Sequence, residues 1–133
     1  MSNVDRAGRT PLHHAASEDD VAEVVRLLAE GADVDAADKR GFTPLHFACQ
    51  EWAVGAAAAL LDRGAAVDPV NAFGNTPLFV AVSSSRGRGE LIQMLREHSA
   101  DPLRANNGGH TPVSLARLIA NYDVAQYFED LPR

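Results

Sequence analysis

Five histidines, one cysteine and eighteen carboxylates are the side chains of this 133-residue chain that could carry chemistry. No two histidines stand at the i, i+4 spacing that puts a zinc-binding pair on one helix face. His14, His98 and His110 have no acid or nucleophile at motif spacing. Asp33, Asp35 and Asp38 begin like a calcium loop, which needs oxygen ligands at positions one, three and five, Gly at six and Glu at twelve. Counted from Asp33, those later places hold Ala37, Asp38 and Pro44, so the pattern fails. The acids then read as solvated residues of an arm and a turn. Ser83 to Gly89 is rich in Ser and Gly but lacks the Gly-Lys-Ser/Thr ending of a phosphate loop and follows no strand. It reads as a flexible surface loop. Cys49 stands where related segments have Ala16 and Val82, and reads as a small buried filler. With no Ser-His-Asp arrangement, paired-carboxylate motif or nucleotide fingerprint, the residues assign no catalytic, cofactor or metal site.

Instead, the chain repeats itself. Gly41-Phe42-Thr43-Pro44-Leu45-His46-Phe47-Ala48 has counterparts beginning at Gly8, Gly74 and, more weakly, Gly109. The Thr-Pro steps fall at 10, 43, 76 and 111, spaced 33, 33 and 35. A second phrase, Leu27-Leu28-Ala29-Glu30-Gly31-Ala32-Asp33, returns at Leu60 and at Met94. A period of this length predicts a stack of like supersecondary units.

These two phrases at a 33-residue period resemble the ankyrin repeat over about residues 5 to 130. The resemblance implies an all-α solenoid of four stacked β-turn and helix-loop-helix units, the last a C-terminal cap. They span about 5–37, 38–70, 71–105 and 106–130 within one domain, 1–133. It also implies that His13 and His46 hydrogen-bond the turn backbone.

Composition agrees with a folded domain: 46% apolar residues, and few aromatics for an aliphatic, Ala-rich core. The uncharged, Ala-rich run Trp52 to Leu61 is too short and too weak to span a bilayer. No basic, apolar leader is read at the N-terminus, and one Cys cannot form an internal disulfide. A cytoplasmic location is expected. The net charge of −6 opposes unspecific binding to nucleic acid or anionic membrane. Residues 1–36 hold eight acids and three bases, residues 70–104 three acids and four bases, so the acid gathers in the first repeat. Eleven Arg to one Lys, with abundant Ala, is the usage of a GC-rich genome and suggests a bacterial source.

Within each unit, Thr10 and its counterparts are predicted to cap a first helix that has Pro at its first position. Leu12, Ala15 and Ala16 face inward. A second helix in repeat 1 follows from Val21, Val24, Val25, Leu27 and Leu28 at helical spacing, ended by Gly31. In repeat 2 the helices are placed at Thr43–Gln50 and Val54–Arg63. Gly55, inside the second, implies close packing against a neighbour. Ser99, in the place of Gly31 and Gly64, predicts a less well-terminated helix. Repeat 4 keeps Val113, Leu115, Ala116 and Leu118 on one apolar face, with polar residues to water as an end unit requires.

The resemblance places binding on the turn tips and the exposed face of each first helix. Here those are Arg6 and Arg9; Lys39, Arg40 and Phe42; Phe73 and Asn75; His110; and, on the helices, Glu18, Gln50, Glu51 and Ser84. Phe42 and Phe73 on neighbouring tips read as interface anchors or as a pair packed on each other. Trp52 stands where the family usually has Gly, and reads as an anchor or as cover for the Ala-rich helix. A monomeric, non-enzymatic protein-binding module follows, its partner another protein rather than nucleic acid or membrane. An immunity or inhibitor protein whose patch Glu18, Asp19, Asp20 and Glu23 meets a basic toxin is the sharper alternative. A small-molecule-binding or enzymatic repeat protein is the rival class.

Overall fold

The computed structural model describes residues 4–132. Seven short helices follow in order: α1 Pro11–Ser17, α2 Val21–Ala29, α3 Pro44–Gln50, α4 Val54–Asp62, α5 Pro77–Ser84, α6 Glu90–Glu97 and α7 Pro112–Leu118. A 3₁₀ turn, Ala125–Phe128, closes the chain. Helices of this length are marginal alone, so packing must hold them. It does so in two rows: α1, α3, α5 and α7 stack in sequence, and α2, α4 and α6 stack behind them.

Each first helix starts as the sequence predicts. Thr10, Thr43, Thr76 and Thr111 are extended N-caps whose hydroxyls accept the backbone N–H three residues on. Leu12, Leu45, Leu78 and Val113 follow at equivalent places, almost wholly buried. Ala16, Ala48 and Ala81 let neighbouring helices approach, while Val24, Leu60, Leu91 and Leu95 fill the space behind. Each buried Leu contributes about 2 kcal/mol.

The turns that link the units run as a ladder. Asp5, Asp38, Asn71 and Asn106 each use one side-chain oxygen to accept two backbone N–H groups of their own turn. Successive tips are joined by backbone bonds: Lys39 N–H to Ala7 O at 2.9 Å, Ala72 N–H to Arg40 O at 2.8 Å, and Asn107 N–H to Phe73 O at 3.0 Å. Gly41 shows why the phrase begins with Gly. Its φ is +80°, and a Cβ there would lie 2.9 Å from Asn71 Cα. Behind, Asp35 accepts Ala66 N–H and Asp68 accepts Asp101 N–H, tying arm to arm. Asp38 is buried, a correction to its reading as a solvated acid; Asp33 and Asp35 are exposed, Asp35 serving as a scaffold acceptor as well.

Gly55 packs as its position implies, since a Cβ there would meet Val21 Cγ2 at 2.8 Å. Its helix, α4, has Ala53 as N-cap and no cap of its own; Asp19 of the preceding unit bonds Ala56 N–H at 2.8 Å instead. Three sequence expectations are corrected. Ser99 adopts the left-handed conformation, φ +69°, and the end of α6 is bonded by Ser99 N–H to Arg96 O and Ala100 N–H to Leu95 O, as Gly31 and Gly64 end theirs. The fourth unit has no second α-helix: the 3₁₀ turn buries Phe128 and is clipped by Arg96 to Asp130 at 2.7 Å and to Tyr127 O at 2.8 Å. Leu118 leaves the apolar face and is 67% exposed.

Candidate functional site

The first helices and tips of repeats 2 and 3 enclose two adjoining concavities open to solvent. One, about 240 Å³, is walled by Phe42, Asn71, Phe73, Asn75, Phe79 and Val80 and floored by Gln50, Ser83 and Ser84. The other, about 380 Å³, shares Gln50, Ser83 and Ser84 and continues to Glu51, Trp52, Arg86 and Arg88. Together they form one channel from the turn tips to the loop between α5 and α6.

Of the residues singled out in the sequence, Phe42, Gln50, Glu51, Trp52, Phe73, Asn75 and Ser84 line this channel. Lys39 and Arg40 are exposed at its tip end, Arg40 with its guanidinium 5.8 Å from the Phe73 ring. Arg6 and Glu18 are exposed in repeat 1, outside it, and His110 is exposed on the fourth tip. Arg9 is tied to Asp5 at 2.9 Å and lines a small hollow of about 30 Å³ with His13, His14, Ser17 and Phe47.

The aromatic residues divide. Phe73 is 49% exposed, enough to act as a free anchor. Phe42 is half-buried: its ring stacks on Phe47 at 5.4 Å and meets His46 edge-on at 5.5 Å. The ring partners of Phe42 are Phe47 and His46, where the sequence offered an interface anchor or a pairing with Phe73. Trp52 is also half-buried and fixed. Its indole N–H donates to Glu90 at 3.2 Å and Arg88 lies 4.6 Å from the ring. At φ +55° it occupies a left-handed position that favours Gly. Phe47 and Phe79 were not singled out from sequence. Phe47 could have been found as the aromatic in the variable place after Thr-Pro-Leu-His, and Phe79 as the residue replacing the repeated His.

The segment 83–89 is tied down where a free loop was expected. Ser85 is buried and its hydroxyl donates to Val82 O; Arg88 donates to the carbonyls of Ser84 and Ser85; Tyr127 Oη donates to Gly87 O at 2.8 Å. These bonds set the far wall of the channel.

His13 and His46 are scaffold. In each, Nδ1 accepts the backbone N–H of the capping Thr, which leaves the proton on Nε2 to donate at 2.8 Å to Phe42 O and Asn75 O of the next unit. Burial holds both imidazoles below their usual pKa, hence neutral. Phe79 cannot make that bond, and at the next junction Asn106 and Asn107 reach back to Asn75 Oδ1 and Ala72 O instead. Cys49 is fully buried and burial pushes its thiol up, away from the reactive thiolate.

The acids of repeat 1 are largely engaged. Asp19 and Asp20 bond helix N-termini, and Arg26 binds both Glu23 and Glu30, holding the Glu23 carboxyl below the usual carboxylate range. Among the described residues no group of three or more His, Cys, Asp and Glu side chains is placed to hold a metal ion. No described helix is long and apolar enough to cross a membrane.

A family model described as ankyrin repeats (3 copies) matches residues 1–69, and one described as ankyrin repeat matches residues 73–107. No curated protein matches the chain.

Proposed function

The chain belongs to the ankyrin repeat family, and we propose that it is a non-enzymatic module that binds a partner protein through the turn tips and first helices of repeats 1 to 3. Ankyrin repeats are generally protein–protein interaction modules, and their proteins are typically not enzymes. The observation that carries the reading for this chain is the open channel across α3 and α5 with Phe73 half-exposed at its mouth. An aromatic side chain at the edge of a polar groove, flanked by cations, has the make-up of an interface anchor. The channel has no enclosed cavity with convergent polar groups, the mark of a small-molecule or catalytic site.

The immunity-protein alternative draws less support. It relies on the acidic patch, of which Glu23 is paired with Arg26, while Glu18, Asp19 and Asp20 stay exposed and charged.

The test replaces Phe73 by Ser and Lys39 and Arg40 by Glu, with circular dichroism melts to confirm the fold. Partners recovered by affinity capture should bind the variant at least about tenfold more weakly. Unchanged affinity removes this surface.

A further inference from the structure

Four cations border the channel, and among the described residues none of them is in an ion pair. Lys39 and Arg40 stand at the tip end; Arg86 and Arg88 line the far end. The ion pairs among the described residues involve Arg9, His14, Arg26 and Arg96, all elsewhere. Arg88 spends its N–H groups on the Ser84 and Ser85 carbonyls, which places its charge without cancelling it. Glu51 and Glu90 are the acids on that side, and Glu90 accepts from Trp52. Four cations against Glu51 and Glu90 thus leave a net positive strip along this channel in a chain of net charge −6.

We infer that this channel takes an extended acidic peptide segment of the partner. One aromatic or leucine side chain of the segment seats against Phe73 and Phe79, and its carboxylates are met by Arg40 at one end and Arg86 at the other. The inference rests on the protein-binding reading and narrows it to a partner chemistry. The two concavities adjoin at Gln50, Ser83 and Ser84 and are open to solvent, which suits an extended segment lying across both. Gln50 and Ser83, on its floor, can pair with the amides of an extended backbone. The cations raise the rate of encounter with an acidic segment, and the apolar seat supplies the slow release. Single-stranded nucleic acid would also meet stacking rings and arginines. Four cations beside Glu51 and Glu90 suit the few carboxylates of a peptide rather than the continuous phosphates of a strand.

The test is selection of a random peptide library displayed on phage against the whole chain. Enriched peptides are then synthesised and titrated calorimetrically against the wild type, Phe73→Ser, and Arg40→Glu with Arg86→Glu, at low and at physiological salt. The expected consensus is acidic residues flanking an aromatic or leucine. Each variant should weaken binding by at least about tenfold, with the wild-type affinity falling as salt rises. Basic peptides, peptides without an apolar anchor, an empty selection, or equal affinity for the charge variant overturn the inference. So does a single-stranded oligothymidylate that binds the channel more tightly than any selected peptide and is weakened by Phe73→Ser. Because Arg40 lies 5.8 Å from the Phe73 ring, Arg86→Glu is also titrated alone, as a charge variant that leaves that contact in place. A captured partner that needs Phe73 but not Arg40 and Arg86 leaves the protein-binding reading standing and rejects the acidic segment.

Discussion

Two histidines show how far single residues specify this molecule. His13 and His46 close a capping box within their own helix and bond the turn of the next unit through the other ring nitrogen. A second proton on Nδ1 would replace an acceptor by a donor facing the Thr N–H. The unfolded chain therefore takes up protons first as pH falls. Stability is complete above the ordinary imidazole value of 6.5 and is lost as pH drops below it toward the lowered folded values. Thermal melts should show the midpoint falling between about pH 7 and about pH 5; a flat midpoint would contradict the neutral assignment. Ser99 offers the opposite sign. It holds a left-handed conformation without the freedom of Gly, so Ser99→Gly should raise the unfolding free energy by about 0.5–1 kcal/mol in urea titration. Much here was legible in advance: Thr caps, Pro starts and the burial of Cys49 follow from residue type and repeated position. Ser99 was misjudged because backbone hydrogen bonds can impose the cap geometry on a residue that resists it.

At the scale of elements, the units hold each other by devices that cross the repeat boundary. Asp19 caps the following unit's second helix, the tips share a backbone ladder, and Gly41 admits the next turn at contact distance. Gly41→Ala meets both an unfavourable φ and the Asn71 backbone, and should cost about 1–3 kcal/mol by the same titration; a cost near zero would mean the ladder can open without penalty. The loop after α5 depends on the cap. Removing the Tyr127 hydroxyl in Tyr127→Phe should speed hydrogen exchange at residues 86–89 by about tenfold with little change elsewhere, whereas unchanged exchange would show that Arg88 and Ser85 suffice. None of this was readable in Ser83 to Gly89 alone. That segment is soluble and turn-rich by composition, and its order comes from Trp52 and Tyr127, distant in sequence. The shortened second helix of repeat 4 was equally hidden, because an end unit packs on one side only and loses the periodic signal.

For the whole molecule, first helices touch first helices and second helices touch second helices, so the stack has a grooved front and a helical back. The period and the shared phrases made that architecture legible. The site was legible only in part. The tip and helix-face positions lead to Phe73, Gln50 and Ser84, but no phrase ties Phe42 to Phe47 and His46 or marks Phe79 as a wall. Which face of a side chain is used locally depends on its neighbour one repeat away, and no single phrase contains both. The account's central claim is that the front channel of repeats 2 and 3 receives a partner protein. Its most direct measurement is hydrogen exchange by mass spectrometry on the chain with and without a captured partner. The account predicts slowed exchange in the turn tips and first helices of repeats 1 to 3, strongest in residues 39–52 and 71–88. Protection confined to the second helices, α2, α4 and α6, would contradict it.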